Sequence, residues 1–415
     1  MRENGLGLDE RIVVTGIGLV TSIGLGRECF WDSLMQGRSG VSVVESQVTA
    51  AFSVHRGAEV KGFGHQKYFL RTDPATMGRA SHLAIAAARM ALEDAGLDSA
   101  DVDQERAGIA IGTTMGEQQE IEEFDEWQLR GKACLSSRAL TKRYPCHLIA
   151  GHLASEFQFS GSSISIPGAC AAGNHAIAYA YDAIRFGRAD VMLAGGTEPF
   201  SRMIFTGFAR LGAIAPELCQ PFDRGRKGMI PGEGAGMLVL EPLAGALKRG
   251  ARIFAEVAGY GLSCDAHHIT GSHPEGKGAA RAMEKALVNS GLRPADVSYI
   301  SAHGTGTKTN DRLETVAIKR AFKDDAYQIP VSSIKSMLGH TMGAASAIEA
   351  AACALSVFYD RIPPTINLQE ADPECDLDYV PNLAREHTVN VAVNNAYGFG
   401  GNNASLVLTK CEGIP

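Results

Sequence analysis

This chain repeats itself, and the repeat limits what it can fold into. An apolar strand ending in glycines, RIVVTGIGLVTSIG (Arg11–Gly24), is matched by ARIFAEVAGYGLSCDA (Ala251–Ala266). A helix, a glycine stop, a short loop and a second strand follow in both places, from His82 and again from Gly278. Gly96-Leu97 matches Gly291-Leu292, and Ala100-Asp101-Val102 matches Ala295-Asp296-Val297. A third pair aligns CAAGNHAIAYAYDAIRFG from Cys170 with HTMGAASAIEAAACALSVFYD from His340, each with glycine three places on (Gly173, Gly343). On this alignment His340 occupies the position of Cys170 in the second half. The first half carries extra residues around 115–160, including the acidic GEQQEIEEFDEWQ, which reads as an inserted helical cap.

Strands alternating with helices predict βαβ units and largely parallel sheets. Continuously apolar strands such as VMLAGG need helices on both faces. Two such halves, 1–250 and 251–415, give a layered α/β/α/β/α sandwich. The 415 residues also exceed what one core usually holds, roughly 250–300.

Net charge is −7 and the isoelectric point about 6.0, so bulk charge does not suggest a nucleic-acid binder. The start, MRENGLGLDERIVV, has no apolar signal core, and no apolar run reaches the ~18 residues of a membrane span. The expectation is a cytoplasmic chain with no membrane contact. Nine widely spaced cysteines show no CxxC pair, which argues against structural zinc and disulfide frameworks.

Cys170 stands where a strand (SISIP) and a Pro-Gly turn give way to an Ala-rich helix. A helix N-terminus stabilises a thiolate, and its free N–H groups can hold an oxyanion. A buried packing cysteine is the alternative. His303 ends the strand in YISAHGTGTKTND, at a Gly-rich turn of the kind that lines ligand sites in such sheets. A capping role is its alternative. His340, in SIKSMLGHTMGAAS, is expected to stay neutral at a positive helix end. Lys335 and Glu314 read as a buried pair near the histidines, or separately as surface charges. Gly398-Phe399-Gly400-Gly401 is a tight loop whose one aromatic suits a gate, or an ordinary hairpin. A Cys–His–His set points to acyl chemistry through a thioester.

These motifs, with PFDRGRKGMIPGEGAGMLVLE (Pro221–Glu241), resemble the elongating β-ketoacyl-[acyl-carrier-protein] synthases of the type I/II group, from Arg11 to Lys410. The resemblance implies the thiolase-like fold and decarboxylative condensation of a Cys170-bound acyl chain with malonyl carrier protein, which lengthens the chain by two carbons. It implies that His303 and His340 assist decarboxylation and that a Lys335–Glu314 ion pair supports them. It implies an oxyanion hole of the Cys170 and Phe399 amides, Gly398 and Gly400 around the Phe399 gate, and Thr270, Thr305 and Thr307 along the pantetheine arm. No metal or free cofactor is implied. The implied partner is an acidic acyl carrier protein, met by the basic stretch Lys61–Arg71 or by Arg224, Arg226 and Lys227.

A homodimer is the usual assembly, and specialised type II polyketide or polyene systems pair an active subunit with a chain-length factor. Several positions depart from the common pattern: GACAAG at the nucleophile, Lys308 and Asn310 after the threonines, Asn402-Asn403, and the bulky PFSRMIFTGFARLGAIAPE. They point to a substrate other than an ordinary saturated fatty acyl chain. A degradative thiolase would need a cysteine in the C-terminal Gly-rich loop. A non-catalytic chain-length factor would lack Cys170.

Overall fold

The computed structural model describes residues 11–45, 49–131 and 140–411. Residues 132–139 of the expected cap, 46–48 and 1–10 of the first expected half, and 412–415 of the second lie outside the described residues.

Ten strands carry the architecture. They are β1 (Ile12–Thr21), β2 (Ala107–Thr113), β3 (Ser163–Pro167), β4 (Val191–Glu198) and β5 (Gly234–Pro242) in the first half. The second half has β6 (Ala255–Cys264), β7 (Tyr299–Ser301), β8 (Val331–Ser332), β9 (Val391–Gly398) and β10 (Asn402–Thr409). The first half orders its strands β3-β2-β4-β5-β1, and the second orders them β8-β7-β9-β10-β6. In both, the spatial order is third, second, fourth, fifth, first, so the repeat seen in the sequence is a repeat of topology.

Two expectations change. The sheets are mixed: β2 runs parallel to β3 and β4, and β7 to β8 and β9, whereas β5 and β1, like β10 and β6, join antiparallel. The two half-sheets are also hydrogen-bonded to each other, through Ile12↔Val257, Val13↔Glu256 and Val14↔Ala255 of β1 and β6.

Helices α1 (Arg79–Ala95) and α2 (His147–Phe157) cover the outer face of the first half-sheet. α5 (Lys277–Ser290), with α6 (Lys308–Phe322) packed beside it, covers that of the second. Between the half-sheets lie α3 (Ala172–Arg185) and α7 (Ala345–Tyr359), giving the five layers. The matched Gly-Leu pairs are helix stops. Gly96 and Gly291 are left-handed, and the N–H groups of Leu97 and Leu292 reach back to Leu92 and Leu287 at 3.0 Å.

α7 is alanine-rich because it must be thin and apolar all round. With the turn before it, Met342–Tyr359 is an 18-residue apolar helix that is 89% buried in the core. The sequence reading found no such run; this one lies between two sheets. Where α3 meets α7, a side-chain carbon on Gly173 would stand 2.5 Å from Ala347 N, so only glycine fits. The connection from β2 to β3 spans 114–162 and its counterpart 302–330, so the first half's extra length falls where expected. Among its described residues this stretch holds α4 (Gln118–Leu129) as well as α2.

Candidate active site

Cys170 sits in a single 3₁₀ turn, Ala169–Ala171, between β3 and α3. The residue before it, Ala169, has φ 51°, a left-handed conformation costly for alanine. A matching turn, Met342–Ala344, opens α7, and Met342 has φ 46°. This corrects the sequence alignment: the structural twin of Cys170 is Gly343, and His340 lies three residues ahead of it. A side chain at Gly343 would stand 2.4 Å from Thr114 N, so the twin position cannot bear a functional group.

His340 is held by its backbone. Its N–H donates to Ile230 O at 2.7 Å, and its carbonyl accepts from Gly232 N–H at 2.9 Å. The MIPGEG stretch is therefore a clamp on this histidine. Its Nδ1 accepts from Met342 N–H at 3.2 Å, which leaves the proton of the neutral ring on Nε2. That nitrogen is 3.1 Å from Cys170 Sγ. His303, just past the end of β7, faces His340 edge-on, with ring centroids 5.4 Å apart. All three residues are buried. Burial, reinforced by the positive charge of Lys335, holds both imidazoles well below their ordinary range, so both are neutral at pH 7.

The thiol departs from expectation. Burial pushes it up to about 12, against the pull of Lys335. Resting Cys170 is therefore protonated, and the helix end acts on charge that develops during reaction. Alkylation of Cys170 by iodoacetamide is expected to rise about tenfold per pH unit between about pH 6 and 9. A plateau below about pH 8 would mean a stable thiolate and would contradict this reading.

The expected Lys335–Glu314 pair is not formed. Lys335 Nζ bonds Glu349 of α7, and both side chains are 2% exposed. Burial pushes Glu349 up to about 7, against the pull of Lys335. Glu314 instead accepts the N–H groups of His303 at 2.8 Å and Gly304 at 2.7 Å, fixing the turn that carries His303. Burial pushes it up to about 8. Sequence reasoning missed Glu349, although a lone acid in an alanine-rich helix signals a buried partner. It also missed Asp311, which accepts Phe222 N–H at 2.8 Å and Gly306 N–H at 3.2 Å below the same turn. Asn394 and Asn395 are buried, and Asn394 donates to Asn174 Oδ1 and Ser346 O, tying β9 to α3 and α7.

Cys170, His303 and His340 open into a cavity of about 320 Å³ lined also by Thr270, Thr305, Thr307 and Phe399. The Thr305 and Thr307 hydroxyls are 2.9 Å apart. Phe399 is 41% exposed, and its ring lies 5.4 Å from that of Phe208. A side-chain carbon on Gly398 would stand 3.3 Å from Cys170 N, so glycine keeps that amide open. Gly400 does not line the cavity. It has φ 83°, and its N–H donates to Ile269 O at 2.8 Å, a turn role. The ligand atoms of Cys170, His303 and His340 lie within 4.8 Å of one another, a set that zinc could occupy at the expense of the nucleophile.

A duplicated five-layer sandwich closing on a buried Cys–His–His cluster defines a condensing enzyme of the thiolase-like class. The chain belongs to the beta-ketoacyl synthase family, whose N-terminal domain matches residues 9–246 and whose C-terminal domain matches 254–369. It is 40% identical over 410 residues to 3-oxoacyl-[acyl-carrier-protein] synthase 2 of Synechocystis sp., covering 97% of this chain and 99% of that one. The solved structure titled the ishigamide ketosynthase/chain length factor superposes with a TM-score of 0.93 at 43% identity, over 97% of this chain and 99% of that chain. A type II polyketide acyl carrier protein in complex with its ketosynthase, AntDE:AntF, gives 0.89 at 34% identity, over 97% and 99%. The chain is thus an acyltransferase of the ketosynthase type, condensing an acyl chain with malonyl carrier protein.

Proposed function

We propose that Cys170 holds the growing acyl chain as a thioester and that His303 and His340 drive decarboxylation of malonyl carrier protein. The observation that carries this is the Nε2–H of neutral His340 aimed at Cys170 Sγ from 3.1 Å, with His303 beside it in one cavity. The thiol attacks the incoming thioester carbonyl, and the arm's sulfur leaves with the thiol proton. The Cys170 and Phe399 amides hold the intermediate oxyanion. Malonyl then enters past Thr270, Thr305 and Thr307. Its carboxylate leaves as carbon dioxide, and the electron pair passes to an enolate held by the two histidines. Neutral donors suit this step, because a charged imidazolium would stabilise the carboxylate that must leave. The enolate carbon attacks the Cys170 thioester, the carbon–sulfur bond breaks, and the released thiolate takes up one proton from solvent to return to the resting thiol. Phe399, loosely packed between glycines, gates the entry. The residues themselves supply the acid–base chemistry, so no metal or free cofactor takes part.

The chain is the active subunit of a cytoplasmic type II system. Its partner across the open edge of β3 is a second copy or a chain-length factor. β3 ends the sheet path, and its side chains are partly exposed. The likeness to the ishigamide structure, together with the motif departures, favours a specialised polyketide or polyene pathway over primary fatty acid synthesis. Intact-protein mass spectrometry with a panel of acyl carrier proteins tests this, with and without a chain-length factor. Unsaturated or β-keto acyl groups should load on Cys170 in preference to saturated chains. Equal loading of saturated chains would return the enzyme to fatty acid synthesis.

A further inference from the structure

Two consecutive amides of one turn reach in different directions. The turn Met342–Ala344 opens α7, and Met342 has φ 46°, a left-handed conformation that is costly for methionine. Met342 N–H donates to His340 Nδ1 at 3.2 Å, which leaves the ring proton on the Nε2 that faces Cys170. The next amide, Gly343 N–H, donates to Glu198 Oε2 at 3.1 Å. Strained turns persist only where their surroundings over-determine them, and this carboxylate is part of those surroundings.

Glu198 is the last residue of β4 and is fully buried. Besides the Gly343 amide it accepts Thr114 N–H at 2.5 Å, Met115 N–H at 2.9 Å and the Thr113 hydroxyl at 3.3 Å. Its two oxygens thus gather four donors, three from the exit of β2 and one from the turn. None of the four carries a charge. Burial pushes the carboxyl up to about 7, and these donors pull it back. Glutamine in its place would turn an amide N–H2 toward groups that also donate.

We propose that Glu198 is a positioning residue for the condensation: by anchoring the Gly343 amide it holds the turn that aims Met342 N–H at His340, and so sets the tautomer of that histidine. The inference rests on the role proposed above for His340 in decarboxylation. Glu198 does not line the cavity, so it acts through the turn. Without the anchor, Met342 relaxes toward a negative φ and its N–H leaves Nδ1. Nδ1 then takes the proton, and a lone pair on Nε2 faces the developing enolate where a donor is needed.

The test is E198Q, read in two ways. Carbon dioxide release from malonyl carrier protein should fall about tenfold to a hundredfold in kcat, with KM within about twofold, because binding does not depend on the tautomer. ¹⁵N-histidine NMR, with the His340 signals assigned from the spectrum of H340N, should show Nε2–H alone in the unsubstituted protein and both tautomers in E198Q. Where E198Q does not fold, E198D carries the same two measurements, since aspartate keeps the charge but not the reach. A fall in kcat with His340 still wholly Nε2–H would make Glu198 a structural residue only and overturn the proposal. So would an unchanged tautomer with unchanged kcat, or an Nδ1–H tautomer in the unsubstituted protein. A shifted tautomer with unchanged decarboxylation would bear out the positioning by Glu198 and overturn the role of His340 in that step instead.

Discussion

Replacing Cys170 by alanine is expected to reduce β-ketoacyl product formation by at least about a thousandfold, because no other group on the cavity wall can form the thioester. The same protein should still release carbon dioxide from malonyl carrier protein, within about tenfold of the unsubstituted rate. Decarboxylation uses His303 and His340, and the substitution removes only the sulfur that His340 Nε2 faces at 3.1 Å. Product and carbon dioxide must therefore be measured separately. Loss of both in equal proportion would mean that Cys170 organises the histidines and does not act as a nucleophile.

The second large effect concerns Lys335. Lys335→Met leaves Glu349 without its partner, and breaking a buried pair from one side costs about 3–5 kcal/mol. Thermal and denaturant unfolding would show it. Replacing both members, K335M/E349L, should recover most of that stability but not the activity profile. Lys335 lowers both imidazoles, so its removal raises them. A raised histidine becomes charged at higher pH, so the acid limb of the pH–rate profile should move upward in the single and double variants alike. A double-mutant cycle should show stronger coupling of Lys335 to Glu349 than to Glu314. The reverse order would restore the pair expected from sequence.

That pairing shows what the sequence could carry. Cys170, His303, His340 and Phe399 each lie in a short local motif, and local motifs were legible. The partner of Lys335 was not, because Glu349 approaches from one turn into α7, while Glu314, close to His303 in sequence, is taken up by two backbone amides. The duplication was visible in helix stops such as Gly96 and Gly291, because a left-handed stop demands glycine in both halves. The register of its third element was not. Gly173 and Gly343 look equivalent but do different work: one lets α3 approach α7, the other seats a turn against β2. The mixed strand directions escaped because an apolar buried strand reads the same in either orientation. The protonated state of the thiol depends on burial from several elements, which no local pattern records.

A single-turnover experiment reaches the central claim most directly. Enzyme acylated on Cys170 is mixed with malonyl carrier protein labelled with ¹³C at the methylene carbon, and the product is read by mass spectrometry. The account predicts a β-ketoacyl carrier product longer by two carbons that retains the label, one carbon dioxide released per product, and an enzyme returned to its unmodified mass. An acyl group that remains on Cys170, or leaves it as free acid while labelled acetyl carrier accumulates, would contradict it.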